Sequence, residues 1–229
     1  MPHKHSVKPF VADGFYHIYN RGVNKADIFT DDQDYRVFLH LLKYYLSPIK
    51  SLDIFHPFGD ITDIKIVRPR PLANLEDEVD LVAFCLMPNH FHLLIKQHSP
   101  DGMTKLMRRL ITTYSMYMNK RHKRVGHLFQ GNYKAVLIED DTYFLHLSRY
   151  IHCNPLSLPS MTGMILVNYP YSSYPYYLGL KHALWLKPQA VLDFFRKQQL
   201  LPIFQKTNTY QAFTESAVSP YPHDSPVHA

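Results

Sequence analysis

Cysteine is scarce in this chain. Only Cys85 and Cys153 occur in 229 residues, and they make no CxxC pattern. A multi-disulfide scaffold is excluded, and the expected state is two free buried thiols in a reducing compartment, with a single disulfide as the alternative. No apolar run is long enough to span a bilayer. The first residues, Met1-Pro-His-Lys-His5, lack the charged-then-apolar layout of a signal peptide. The expectation is a soluble, cytoplasmic protein without a membrane partner. Internal repeats are absent too, which removes solenoids and propellers. Acidic residues are outnumbered, 19 against 25 Lys and Arg, for a formal net charge of +6. Much of that excess falls between Lys105 and Lys134. Net charge speaks about partners rather than fold, and a polyanion, most commonly nucleic acid, is the natural one.

What is abundant is aromatic and apolar: 17 Tyr, 14 Phe and 46% hydrophobic residues, enough for a core. The length suits one domain. Phe15-Tyr-His-Ile-Tyr19 reads as a strand ending at Asn20-Arg21-Gly22. Asp31 and Asp32 open a helix in which Tyr35, Phe38, Leu39, Leu42 and Tyr45 recur at helical steps, and Ser47-Pro48 stops it. Residues from about 48 to 78 are rich in Pro and Asp and read as an insertion, with a short strand over 61–67. Val79 to Met87 and His90 to Lys96 read as a hairpin punctuated by Pro88-Asn89. A long helix follows Ser99-Pro-Asp101 as far as Lys120, with Met103, Leu106, Leu110, Tyr114 and Tyr117 as its apolar stripe. Tyr133 to Ile138 is another strand, and Asp140-Asp141 opens a helix to Asn154, ended by Pro155. Tyr169 to Tyr177 is irregular, and Gln189 to Gln199 is a short helix. The order strand, helix, strand, strand, helix, strand, helix is the split βαββαβ pattern. It predicts an α+β, ferredoxin-like (RRM-like) antiparallel sheet with helices on one face. One domain over 1–204 is expected, including a C-terminal extension over about 156–204, followed by a polar, disordered tail over 205–229.

Two segments carry chemistry. In Met87-Pro-Asn-His-Phe-His-Leu-Leu94 the two histidines lie at i and i+2 of a strand, so both face one side. Two imidazoles on a rigid strand can grip one divalent metal. In the helix from Asp141, Phe144, Leu147 and Ile151 form a core face, while Tyr143, His146, Tyr150 and Asn154 share another. If that second face meets the hairpin, Asn154 offers an amide oxygen as a third ligand beside His90 and His92, and Tyr150 sits next to the metal. A phenol has a pKa of about 10 and is a weak nucleophile at neutral pH. A nearby cation favours phenolate and polarises a scissile phosphate. Attack by Tyr150 on phosphorus releases a 3′-hydroxyl and leaves a 5′-phosphotyrosine, storing the bond energy for rejoining.

The His-Phe-His segment resembles the HUH motif of single-tyrosine transposases, and the chain is similar to the REP-associated tyrosine transposases. Four further blocks carry that resemblance: Tyr16-His-Ile-Tyr-Asn-Arg-Gly22, Gly126-His-Leu-Phe-Gln-Gly131, Tyr150-Ile-His-Cys-Asn-Pro155 and Tyr171-Ser-Ser-Tyr174. Together they span roughly residues 14 to 180. The resemblance implies His90, His92 and Asn154 as ligands of Mg²⁺ or Mn²⁺, and Tyr150 as the nucleophile. The implied substrate is single-stranded DNA near a palindromic hairpin repeat, cut by a monomer or a homodimer. Two departures stand out. The 48–78 segment is longer than the family pattern, and Asn154 precedes Pro155, which disfavours helical geometry. His152 and Gln130 are the alternative third ligands, and Tyr143 is the rival nucleophile.

A basic set would hold the phosphate backbone: Arg21, Lys105, Arg108, Arg109, Lys120, Arg121, Lys123, Arg124 and Lys134. Such contacts fix position without reading sequence. Phe129, Tyr133 and Tyr171 are candidates for stacking on bases. Two other readings stand beside the nicking enzyme. One is a non-catalytic DNA- or RNA-hairpin binding module on the same fold; the other is a phosphoesterase that uses water and forms no adduct.

Overall fold

Asp31 and Asp140 each accept a hydrogen bond from the backbone N–H three residues on, at 3.2 Å from Asp34 and 2.7 Å from Tyr143. These caps satisfy orphan donors and start helices α1 (Asp32–Leu46) and α3 (Asp141–Cys153). The computed structural model describes residues 10–48, 74–196 and 208–216. Its other main elements are β1 (Phe15–Arg21), β2 (Val79–Met87), β3 (His90–Gln97), α2 (Gly102–Arg121) and β4 (Lys134–Ile138). Beyond α3 come helical turns, then α4 (Tyr174–Tyr177), α5 (Gln189–Arg196) and α6 (Tyr210–Glu215). No helix among the described residues is long and apolar enough to cross a membrane. The strand expected over 61–67 and most of the 48–78 insertion lie outside the described residues.

The sheet order is β2-β3-β1-β4, antiparallel throughout, which is the ferredoxin-like arrangement expected from the element order. The helices depart from that expectation, because they do not all lie on one face. Tyr16, Ile18, Phe91, Leu93 and Ile95 pack with α1 and α2, whereas Leu94, Cys85 and Met87 pack with Phe144, Leu147 and Ile151 of α3. With both faces covered, β2 is an almost unbroken buried run rather than an alternating one. A register irregularity between Leu81 and Ala83 sets both Val82 and Ala83 among the α3-side core.

Two loops fasten the end of the sheet that carries the Pro88-Asn89 turn. Ile28 and Phe29 donate backbone N–H groups to the Pro88 carbonyl at 2.8 and 3.0 Å, and Gly22 donates to Asn89 O at 2.9 Å. Val23 donates to Leu128 O, and Gln130 to Arg21 O. The Gly126–Gly131 block is thus a brace for β1. Gly22 is required by close approach, since a Cβ there would collide with the Ala26 carbonyl oxygen.

The segment after α3 covers the outer edge of β2. Phe84 N donates to Ser173 Oγ at 2.8 Å, Leu86 N to Tyr171 O at 3.0 Å, and Lys187 N to Leu81 O at 2.7 Å. An exposed strand edge is thereby closed to other chains. The expected tail over 205–229 needs a correction over 208–216. That stretch forms α6, with Tyr210 and Phe213 buried against α3. Tyr210 Oη lies 2.6 Å from His152 Nδ1, and Arg149 lies over the Phe213 ring.

Candidate functional site

The cross-strand registers order the α3-facing side of the sheet into rows. One row is Met87, His90 and Arg21; the next is Cys85, His92, Tyr19 and Lys134. Behind it lie Ala83, Leu94, His17 and Val136. The two histidines therefore share a face, and Phe91 points to the opposite core beside Phe38. Helix α3 crosses above. The Tyr150 ring stands edge-on to His92, 5.4 Å between centroids, and 6.4 Å from His17.

Asn154 stays in helical geometry at φ −49°, ψ −42°, despite Pro155. Pro155 lies in the first turn of a 3-10 helix over Asn154–Ser157, where a proline's missing N–H costs nothing. The Asn154 amide donates Nδ2–H to Tyr150 O at 3.0 Å, so its Oδ1 faces His90 Nε2 at 3.4 Å. On its other side, His90 Nδ1 lies 2.7 Å from Asn89 Oδ1, and Asn89 Nδ2 is committed to Lys25 O at 3.2 Å. His90 thus meets amide oxygens at both ring nitrogens. A neutral imidazole carries one N–H, and the shorter contact takes it. Nε2 then turns a lone pair toward the Asn154 oxygen. Two acceptors in that arrangement are relieved by a cation that both can ligate.

His92 is buried, and its Nδ1 lies 2.9 Å from His17 Nε2. Burial pulls the His17 pKa down to about 3, so that imidazole is neutral at physiological pH. Burial pushes the Tyr150 phenol above its usual range, opposed by a hydrogen bond from the Asn154 side chain. Among the described residues no cluster of three His, Cys, Asp or Glu forms. The side-chain oxygen facing His90 Nε2 is that of Asn154, at 3.4 Å.

The alternatives fall elsewhere. His152 is fully buried between Tyr210 Oη and Ser173 Oγ, at 2.6 and 2.7 Å. His146 turns to Arg149, 2.7 Å away, and to Phe213. Gln130 is exposed in the brace loop. Tyr143 is 38% exposed at the far end of the helix face. His17 and Asn89, which hold the two histidines, were not singled out from sequence. His17 lies in the Tyr16–Gly22 block, where its local pattern is that of a packed strand residue.

The basic set divides. Arg21 ends β1 beside His90, and Lys134 begins β4 with its ammonium 5.8 Å from the Tyr19 ring, so both flank the histidines. Lys120, Lys123 and Arg124 lie at the C-terminal end of α2. Lys105 is instead paired with Glu78 at 2.6 Å and Asp101 at 3.0 Å. Arg121 is held by Asp31 and Asp34. Arg108 and Arg109 sit on α2, the helix covering the face away from α3. Two of the three stacking candidates are also spoken for: Phe129 is buried edge-on to Phe91, and Tyr171 stacks on Tyr35 at 3.7 Å and donates to Asp32. Cys85 and Cys153 are free thiols, both pushed up by burial, so neither is a ready nucleophile.

A ferredoxin-like sheet here carries a histidine pair beneath a tyrosine-bearing helix. Residues 73–154 match the family described as Transposase IS200 like, and the chain resembles that family over this segment. The matched stretch contains His90, His92, Tyr150 and, as its last residue, Asn154; β1 and His17 lie before it. Among solved structures, the chain is similar to a REP-associated tyrosine transposase bound to a REP hairpin. The identity is 15% and the TM-score 0.48, covering 77% of this chain and 87% of that one. A second similar structure is that of a protein described as a transposase from Deinococcus radiodurans R1. There the identity is 15% and the TM-score 0.31, with coverage of 63% and 92%. No match is found among curated protein sequences.

Proposed function

We propose that this protein is a metal-dependent single-stranded DNA endonuclease and strand transferase that cuts near hairpin repeats through a 5′-phosphotyrosine intermediate. One observation carries the reading: a phenol, two imidazoles and an amide oxygen from separate elements converge on one face within a single chain. The hairpin substrate follows from the motif resemblance, and Arg21 and Lys134 flank the pair in the sheet.

The donor set fits a divalent cation. His90 Nε2 and Asn154 Oδ1 already face one another, and His92 stands edge-on to His90 with ring centroids 5.0 Å apart. These three residues would hold Mg²⁺ or Mn²⁺, the choice resting on the family resemblance because imidazole alone also suits softer metals. When bound, the cation would polarise the scissile phosphate and favour the phenolate of Tyr150. Tyr150 Oη attacks phosphorus, the P–O3′ bond breaks, and the 3′-oxygen leaves as a hydroxyl after taking a proton. The downstream strand stays on Tyr150 by its 5′-phosphate, and a 3′-hydroxyl can reverse the exchange. Asn154 hydrogen-bonds the phenol and anchors its helix turn, so it serves both partners.

The test is incubation of the full chain with a single-stranded DNA hairpin carrying flanking sequence. Cleavage and a covalent protein–DNA adduct are expected with Mg²⁺ or Mn²⁺ and are expected to vanish with a chelator. Binding without cleavage under either metal would instead establish the hairpin-binding module. A second prediction concerns assembly. Since Tyr150 and the histidines meet in one chain, we infer a site that works in cis. Mixing Tyr150→Phe with His92→Ala is then expected to restore no cleavage above background. Recovery toward half of wild-type activity would show that the tyrosine helix serves a partner's histidines.

A further inference from the structure

His17 is a buried polar residue in apolar company. Its cross-strand partners are Leu94 and Val136, and its Nδ1 has no hydrogen-bond partner among the described residues. A buried polar nitrogen left unsatisfied is costly, and an aliphatic side chain at this place would avoid that cost. Its hydrogen-bond contact is to another imidazole: Nε2 lies 2.9 Å from His92 Nδ1, with the rings stacked 5.1 Å apart at 20°. The contact is diagonal across β1 and β3, since Tyr19, not His17, is the direct partner of His92.

A pair of neutral imidazoles joined this way has two proton arrangements. In one, His17 Nε2–H donates to His92 Nδ1, and the His92 proton sits on Nε2. In the other, His92 Nδ1–H donates to His17 Nε2, and Nε2 of His92 is a lone pair. Only the second makes His92 a ligand. Histidine ligands generally commit their other N–H to an acceptor, which orients the ring and selects its tautomer. Asn89 Oδ1 stands in that relation to His90. We propose that His17 does the same for His92, acting as a positioning residue that accepts its Nδ1–H and so puts the coordinating lone pair on Nε2. The proposal rests on the reading of His90 and His92 as ligands.

The two arrangements are separable by measurement. Free Mn²⁺ is titrated by its electron paramagnetic resonance signal against wild type, His17→Leu and His17→Gln. In parallel, ¹⁵N imidazole spectra of wild type are recorded with Mg²⁺. Glutamine keeps an acceptor oxygen near the former Nε2; leucine does not. Mn²⁺ affinity is expected to fall about 10- to 100-fold in His17→Leu and to stay within a few-fold in His17→Gln. The wild-type spectrum is expected to show His92 protonated at Nδ1. A folded His17→Leu that binds Mn²⁺ like wild type overturns the proposal. So does equal loss in both variants, or His92 protonated at Nε2. If His17→Leu does not fold, the glutamine variant and the spectrum decide. Failure of wild type to bind Mn²⁺ at all would be a different result, overturning the metal site and this role together.

Discussion

Tyr150→Phe is expected to abolish the covalent protein–DNA adduct and to lower strand cleavage by at least about 10³-fold, the scale seen when a nucleophile is removed. The substitution deletes one oxygen. The ring keeps its edge-on packing against His92 and His17, at centroid distances of 5.4 and 6.4 Å, so the fold and the histidine pair are expected to persist. Only the hydrogen bond to the Asn154 side chain goes. Asn154 retains its Nδ2 bond to Tyr150 O, which phenylalanine also provides. The control is Tyr143→Phe. Tyr143 lies two helical turns earlier and is partly exposed, so cleavage within a few-fold of wild type is expected. The linkage is read from labelled ends. A 3′-label should be trapped on the protein in denaturing gels, and a 5′-label released with a 3′-hydroxyl. An adduct surviving in Tyr150→Phe sinks the assignment of the nucleophile. Cleavage surviving with no adduct in either protein points to water as the attacking group.

The parts of this site that could be read from sequence are those whose signal is local. His90 and His92 share a face because a strand alternates, and Tyr150 and Asn154 share one because a helix repeats. What could not be read depends on partners far along the chain. His17 meets His92 across 75 positions, and nothing in its own neighbourhood distinguishes it from a packed strand residue. Local rules also lost twice to tertiary structure. Residues before proline avoid helical geometry, yet Asn154 is helical: it begins a 3-10 turn that Pro155 continues, and its amide is tied to Tyr150 O. The polar stretch after 205 reads as tail, yet Tyr210 and Phe213, spaced three apart, supply enough apolar surface to dock a short helix on α3. Coverage of the second sheet face has a related cause. An unbroken apolar run in β2 signals burial on both faces, and the helix that covers the second face is the one bearing Tyr150. Lys105 and Arg121 show the same limit for charge, since their carboxylate partners Glu78 and Asp34 are 27 and 87 positions away.

Asp34 has the largest expected effect on stability. It is fully buried at the start of α1. In sequence it is one of several acids in a first helical turn, where a carboxylate gains modestly from the helix dipole. Here its oxygens accept from Thr30 N at 2.9 Å, Thr30 Oγ1 at 2.6 Å, Tyr117 Oη at 2.8 Å and the Arg121 guanidinium, with His122 Nε2 at 3.1 Å. One carboxylate therefore ties the start of α1 to the end of α2. Burial alone would raise its pKa, but the hydrogen bonds from Thr30, Tyr117 and His122 outweigh it and hold the carboxyl below its usual value. Arg121 keeps Asp31 in Asp34→Asn, but one buried acceptor oxygen becomes an NH2 facing donors such as Thr30 and Tyr117. Leaving buried polar groups unmatched costs about 1–3 kcal/mol each, together about 3–5 kcal/mol. Asp34→Asn is expected to lower the Tm by about 6–20 °C at pH 7, taking roughly 2–4 °C per kcal/mol for a chain this size. A depressed carboxyl contributes stability above its unfolded pKa of about 3.9, and that contribution is lost as pH falls through the lower folded value. The Tm gap between wild type and Asp34→Asn should accordingly be constant from neutral pH down to about 5 and narrow below about 4. Thermal unfolding followed by circular dichroism at several pH values measures it. A variant within about 1 °C of wild type at pH 7, or a gap that widens in acid, would show that α1 and α2 are held by their apolar faces rather than by this carboxylate.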